Sequence, residues 1–498
     1  MYCALAIGIS LLGGLYSARH IRASGGSNGS RQFQIDTADA MPVLICVVAC
    51  YAHWRWGNQM AMPAYDEVFS AQNVADIHPF QAVAYYMLPN NHLLFNLLNN
   101  VLFSTFTDKV ATGRVISLAA YAGFVVSGFF WLKHILHNRW LGLLGVLALS
   151  VQFPAWGFSF QARGYELYLL AEWGLIISLF SYLATAGKHW LYLNALCAIT
   201  GYFCLPSFLY IHLAQCLFFA CYMLLFKKKE VLFWKYQIAA LLITFSCYLP
   251  ALCFSGLDAI AHNSWVAPMS SYKTALAFSG WMFPYFGGYL THIFSDVHLG
   301  GFSFNLILLL LPATLLLDKK NKLSVLYGGF YMAMWAVFFM IAIAMKRLPF
   351  ERNLIGHYSI TLMGVIFVLY RFTQWLPVKI NGIKYSLFSV AMILICGHFI
   401  SSNEFYLKNT LYEYEVNADY REINNGISDI PVESSVAVSD EGFYAGYLCK
   451  MRGCRLSKCP TGTEDYFVKQ HSEPLPAIIA MYYGLMKTNG DYEIYKRK

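Results

Sequence analysis

Two adjacent acids, Asp66 and Glu67, sit just beyond a hydrophobic segment, in the stretch from Pro63 to Ser70. A carboxylate within hydrogen-bond reach of a hydroxyl can take its proton as the oxygen attacks, so Asp66 is the candidate general base. The same residue would also serve as a cap for a helix that follows it, because the first amides of a helix lack partners. Glu67 can orient an acceptor, tune Asp66 or help to hold a divalent cation. It would equally be a solvated neighbour. Two close carboxylates raise one another's proton affinity if they are buried together. Downstream, His78 and His92 can line a binding site, join an acid at a metal, or fix local structure. Their spacing matches no closed zinc motif, so a divalent metal is optional and no cofactor is required.

These residues need a scaffold, and the composition says which. Hydrophobic residues make up 58% of the 498 and charged residues 12%, with a mean hydropathy of +0.48. A soluble domain carries about 25% charged residues. Long apolar runs recur near the length that crosses about 30 Å of hydrocarbon. The chain is expected to be an all-α polytopic membrane protein, and runs of this length exclude a β-barrel. The net charge of +8 is no sign of nucleic acid, because Lys and Arg fall mostly in short loops between spans. That is the bias of cytoplasmic loops.

Residues 1–40 comprise an apolar segment, 1–17, of marginal spanning length and a basic Gly/Ser linker. Residues 41–400 form the membrane domain, with expected crossings at 41–56, 114–134, 140–156, 166–186, 190–204, 207–226, 236–255, 302–317, 323–345, 354–370 and 385–400. That is eleven spans, or twelve with 1–17. The acidic loop 57–111, the turn 158–165 and the loop 256–300 then share the side opposite the basic loops. The helical reading within the acidic loop covers Tyr65 to Val74, and the apolar stretch 93–106 is expected either to lie in the interface or to be partly embedded. Lys346, Arg347 and Arg352 break the positive-inside pattern. Cations on that side are candidate anion contacts.

Residues 401–498 turn polar and read as a small extracytoplasmic α/β domain, with a strand at 434–440 and a helix at 474–484. Of thirteen cysteines, many lie in apolar runs as small hydrophobes. Cys449, Cys454 and Cys459 cluster near the end. They permit one disulfide with one thiol left over, or a partial metal site without a convincing fourth ligand.

The layout of 41–400 resembles the GT-C fold polyprenyl-phosphate-dependent glycosyltransferases, in particular the bacterial protein mannosyltransferase-like and aminoarabinose transferase-like enzymes. Asp66 and Glu67, after Tyr65, stand where that family places an acidic pair in its first outer loop. His78-Pro79 and the stretch Pro89 to His92 resemble its His/Pro segment. Arg114 with Ser117 resembles its Arg-containing helix start, Gln161 to Tyr165 its Arg-Tyr motif, and Pro349 to Arg352 its late Pro/Arg motif. The extra N-terminal segment departs from the pattern.

The resemblance implies a sugar transfer, hexosyl or pentosyl and inverting, from a polyprenyl-phosphate donor to a lipid, glycan or protein acceptor. It places the active site on the outer face of the cytoplasmic (inner) membrane. Arg352, Arg163 and Arg114 would hold the donor phosphate, because a guanidinium fork matches phosphate oxygens. Alternatively they snorkel at the interface or pair with Glu166 or Glu351. His78, His92 and Tyr165 would contact substrate. No Walker or Rossmann glycine motif is present, which fits a donor delivered on a lipid carrier. The alternative is a transporter or flippase of a lipid-linked glycan, which would place ionisable groups within its spans near mid-membrane.

Overall fold

The computed structural model describes residues 36–75, 77–86, 91–261, 310–318, 321–345, 351–377, 381–409, 421–439, 443–457 and 460–498. In chain order, α1 is Ala40–Met60, α2 Tyr65–Ser70, α3 Pro79–Ala84, α4 Leu93–Leu102 and α5 Lys109–Leu136. They are followed by α6 Arg139–Ser150, α7 Phe153–Ser159, α8 Tyr165–Thr185, α9 Lys188–Cys204, α10 Leu209–Phe226, α11 Val231–Phe254 and α12 Gly256–Ala261. The remaining long helices are α13 Lys322–Met345, α14 Ile355–Trp375 and α15 Asn381–Asn409.

Eight segments among the described residues are long and apolar enough to cross a bilayer, from Thr37–Gln59 to Asn381–Ser401. The chain is a multi-pass membrane protein. Two expected crossings are shorter helices, α6 with 12 residues and α9 with 17. The crossing expected at 140–156 is broken in two. α6 stops at Ser150, and α7 starts afresh with a proline in its first turn, where the missing N–H has no helical partner to lose. The segment 1–17, half of the crossing expected at 302–317, residues 262–300 of the loop expected at 256–300, and Lys346, Arg347, Pro349 and Cys459 lie outside the described residues.

Polar side chains at the helix ends set where the long helices start. Asp108 Oδ1 accepts from the amides of Val110 and Ala111 at 3.1 and 2.9 Å to start α5. Asn138 does the same for α6. Lys133 and His134 occupy the last turn of α5, where cations complement the helix dipole. Within the bundle, Asn194, Gln215 and Gln237 bond one another across α9, α10 and α11, and His212 bridges Gln237 and Tyr202. Satisfied polar contacts of this kind fix helix pairing where the surrounding apolar surface gives none.

The helices alternate in direction, which sorts the two ends of the bundle. One end carries the ion pairs Lys133–Asp39 and Arg371–Asp318, with Lys188, Lys228, Lys322 and Lys384 at helix ends there. The opposite end gathers the C-terminus of α1, all of α2–α4, and the starts of α5, α8 and α14. The acidic loop is thus largely helical. α2 continues into a π-helical turn at Ala71–Ala75. Asparagines of α4 tie its backbone together: Asn99 donates to the Lys109 carbonyl at 2.6 Å and Asn100 to the Ala75 carbonyl at 2.8 Å.

After α15 comes a sheet domain: β1 Ser435–Val438, α16 Phe443–Met451, β2 Arg455–Ser457, β3 Tyr466–Gln470, α17 Ala477–Tyr482, β4 Tyr483–Asn489 and β5 Tyr492–Arg497. The strand order is β2-β1-β3-β5-β4, with β1 parallel to β2 and β3 and the rest antiparallel. The helix expected over 474–484 is shorter, because Tyr483 and Gly484 pair with β5 as the start of β4. The domain sits on the site end. Its core residues Ile423, Ile427, Tyr444 and Tyr447 share one apolar cluster with Val68 and Ala71. Tyr447 also donates to Asp108 at 2.9 Å.

α5 and α6 approach closely at Gly142, where an added Cβ would lie 2.7 Å from the Lys133 backbone nitrogen. Gly142→Ala is expected to cost about 1–3 kcal/mol through overpacking, despite the better helix propensity of Ala. Gly397→Ala, with nothing within 4 Å, is expected to be neutral or stabilising. Thermal unfolding of the two variants in detergent checks the contrast.

Candidate active site

α2 starts after Pro63, and its N-terminal residues Asp66 and Glu67 point to different places. Glu67 is buried and its two oxygens accept four hydrogen bonds. Oε1 receives Arg114 Nε at 2.9 Å and the Ala162 amide at 2.5 Å. Oε2 receives Arg114 Nη2 at 2.9 Å and the Ala64 amide at 2.8 Å. The last contact caps α2 from its third residue, as in half of a capping box. The cap therefore belongs to Glu67 rather than to Asp66. Arg114 spends its other N–H groups on Asn58 Oδ1 and on the carbonyls of Ala61 and Met62, 2.8 to 3.2 Å away. Glu67 and Arg114 together join the end of α1, α2, α5 and the turn before α8.

That turn is fixed from a second direction. Ser117 Oγ on α5 donates to the Gln161 carbonyl at 2.6 Å, and its 3.2 Å contact to the Arg163 carbonyl anchors the same turn. The turn aims Arg163 at α2. Arg163 Nη1 donates to the Asp66 carbonyl and to Ser70 Oγ, both at 3.0 Å, and Nη2 lies 3.5 Å from Asp66 Oδ2. Arg352, from the short 3-10 turn Glu351–Leu354 before α14, reaches the same Asp66 oxygen at 3.2 Å. Arg163 is 3% exposed, whereas Asp66 and Arg352 are 32% and 34% exposed. The carboxylate thus lies between one buried and one accessible guanidinium.

Tyr165 lies beneath both cations. Its ring centroid is 5.8 Å from Arg163 Cζ and 6.0 Å from Arg352 Cζ, within the range of cation–π attraction. Phe158 and His92 pack on the same ring at 4.4 and 4.7 Å. His92 is buried, and burial together with the positive Arg163 and Arg352 holds its imidazole well below the ordinary range, against a smaller opposing effect of the Cys204 carbonyl. It adds no positive charge near neutral pH.

The structure therefore brings Asp66, Arg163, Arg352, Tyr165 and His92 together. Glu67 and Arg114 stand beside them, engaged with each other. The sequence reading of Arg114 as a phosphate ligand meets an obstacle, because its guanidinium already serves Glu67, Asn58 and two carbonyls. Arg163 pairs with Asp66 rather than with Glu166, and the side chain of Glu351 is not among those described. His78 is exposed and caps α3, accepting from the Phe80 amide at 3.3 Å, and no described contact links it to Asp66. Ser70, Asn58 and Phe158 were not singled out from sequence. Only contacts across the fold reveal them.

With two cations and one carboxylate, the arrangement carries a net charge of +1 and favours an anion. A divalent cation fits it poorly, since the accessible acid is already flanked by two arginines. Among the described residues, no three His, Cys, Asp or Glu side chains converge.

No protein-family profile and no curated protein matches the sequence. Solved structures match its fold. ArnT from Cupriavidus metallidurans bound to undecaprenyl phosphate gives a TM-score of 0.56 at 10% identity, over 91% of this chain and 97% of that one. The same protein in the apo state gives 0.57 at 8% identity, over 92% and 98%. The chain has the GT-C fold. The archaeal oligosaccharyltransferase AglB from Archaeoglobus fulgidus aligns over 93% of this chain and 74% of its own at 9% identity, but its TM-score of 0.39 is too low to bear on the fold.

Breaking a buried ion pair from one side leaves an uncompensated charge and costs about 3–5 kcal/mol. Glu67→Ala is expected to destabilise by that amount. Adding Arg114→Met should cost less than the sum of the two single changes. Thermal unfolding of the three variants tests the coupling. His92 gives a pH signature. Unfolded, it protonates near 6.5; folded, it stays neutral to lower pH. The unfolded chain then binds more protons below about 6.5, so stability falls as pH drops, by up to about 1.4 kcal/mol per unit. His92→Leu is expected to flatten the fall in Tm between about pH 7 and pH 5. An unchanged slope contradicts the assignment.

Proposed function

We propose that the chain is a membrane glycosyltransferase that moves one sugar from a polyprenyl-phosphate carrier to a lipid, glycan or protein acceptor. The observation that carries this reading is the accessible Arg352–Asp66 pair backed by buried Arg163, at one end of a GT-C bundle. A fold neighbour, ArnT, is described bound to undecaprenyl phosphate, and the cationic end of this site suits such a phosphate. The basic loops gather at the opposite end, which supports an extracytoplasmic site in the cytoplasmic (inner) membrane.

In this reading Arg352 exchanges partners. Before the donor binds, it pairs with Asp66; the donor phosphate then draws it away, while Arg163 stays in place. A carboxylate relieved of one cation accepts a proton more readily. The acceptor hydroxyl forms its bond to the anomeric carbon and passes its proton to Asp66. The bond from that carbon to the phosphate oxygen breaks, and its electron pair leaves with the lipid phosphate. Fixed guanidiniums stabilise the charge that grows on that oxygen. A single displacement of this kind inverts the anomeric centre. Glu67 and Arg114 position the acid and take no direct part. No metal is needed for any of these steps.

The flippase reading draws on two buried acids of α8, Glu166 and Glu172. Both belong to the first two turns or so of the helix, within about 10 Å of the site end. A transporter would place such groups near the midplane. Their depth favours the transferase.

Two variants separate the roles. Asp66→Asn should lower turnover by a factor on the order of 10²–10⁴ while binding polyprenyl phosphate at least as tightly as the native protein. Arg352→Ala should weaken donor binding, on the order of tenfold to a hundredfold, with little effect on acceptor binding. Transfer from a panel of radiolabelled polyprenyl-phosphate sugars into an envelope extract, with protein in lipid, measures the first. Near-normal transfer by Asp66→Asn, or labelled lipid moving between leaflets without transfer, contradicts the proposal.

A further inference from the structure

The C-terminal domain holds two cysteines in one local motif. α16 ends in a left-handed glycine, Gly453, at φ +83°. The Gly453 amide bonds the Lys450 carbonyl at 3.0 Å, and the Cys454 amide bonds the Cys449 carbonyl at 2.9 Å. This pair of bonds is the Schellman ending of a helix. In that motif the side chains of the first and last residues of the bonded loop meet, usually as an apolar contact. Here those residues are Cys449 and Cys454. Both are buried, at 0% and 8% exposure, and Cys454 Sγ also lies 3.8 Å from the Pro431 carbonyl. A disulfide needs Cα atoms about 4.4–6.8 Å apart with facing Cβ vectors, and a backbone bond directly between the two residues holds them close.

We infer that Cys449 and Cys454 form a disulfide in the mature protein, leaving Cys459 unpaired with either. The inference rests on the extracytoplasmic placement proposed above, since disulfides persist in oxidising compartments. Both thiols lose their protons and one electron each as the S–S bond forms. A thiol–disulfide oxidant of that compartment, a protein or small-molecule disulfide, accepts the two electrons and opens to two thiols. The timing follows from burial. In the folded domain, burial and the adjacent Cys454 push the Cys449 thiol up to about 12, and burial raises Cys454 as well. Little thiolate is then available for exchange, so the bond closes as the domain folds and resists reduction afterwards.

The bond would fasten the end of the helix that leans on the active site. α16 carries Tyr444, whose ring meets Tyr65 beside Asp66 at 6.3 Å, and Tyr447, which bonds Asp108 at the start of α5. Fixing the join between α16 and β2 holds that contact surface in place.

The test is peptide mapping of the full-length membrane protein after acid quenching and alkylation of free thiols, without reductant. A C-terminal reporter active on only one side of the membrane is read in parallel. The expected result is a linked Cys449–Cys454 peptide, retained in Cys459→Ser and lost in Cys449→Ser, with the reporter outside. Alkylated Cys449 and Cys454 with the reporter outside overturn the pairing, as does a link from either residue to Cys459. A reporter inside would overturn the compartment alone. The pairing is then decided with purified protein unfolded and refolded in a glutathione redox buffer. Closure of Cys449–Cys454 upholds it, and refolding with both thiols free overturns it.

Discussion

A single buried carboxylate holds the active end of this protein together. Glu67 accepts hydrogen bonds from its own helix start, from Arg114 on α5 and from the turn before α8. An ionised group in an apolar interior is tolerated only when it is paired and fully bonded. Glu67 meets that condition with four donors from three segments. Removing any one of them would leave part of the charge unmet, so the segments are bound to a common geometry. Asp66, one residue away, inherits its position from this arrangement.

Adjacent acids thereby acquire opposite tasks. Glu67 turns inward and is consumed by structure. Asp66 turns toward the accessible side and meets cations from two other places in the chain, Arg163 and Arg352. Tyr165 gives both guanidiniums a common floor, and His92 packs against it without adding charge. The C-terminal sheet domain adds a further constraint, since the apolar face of α2 continues into its core. A helix of six residues would be marginal in isolation. Here it is held by a buried ion pair on one side and a folded domain on the other.

Much of this was legible in the chain. The apolar runs gave the membrane bundle, and the positions of the basic loops gave the alternation of its ends. Asp66, Arg163, Arg352, Tyr165 and His92 were all singled out from sequence, and the structure brings them together. The division between Asp66 and Glu67 was not legible. It depends on Arg114 and Ala162, which are 47 and 95 residues from Glu67, and no local pattern encodes such contacts. Arg114 looked like an anion ligand because its type and its place at a helix start suit one. Its commitment to Glu67 appears only in three dimensions. Ser70 and Asn58 were missed for a related reason: a lone Ser or Asn carries no signal until its partner is known. The break between α6 and α7 escaped notice because an apolar run reads as continuous even where the helix restarts.

The exchange of Arg352 between Asp66 and a phosphate is the central claim, and a structure of the protein with polyprenyl phosphate in a lipid nanodisc tests it most directly. The expected result is a phosphate oxygen within hydrogen-bond distance of the Arg352 guanidinium, with Asp66 released from Arg352 and still beside Arg163. A phosphate bound elsewhere, with the Arg352–Asp66 pair intact, would contradict it.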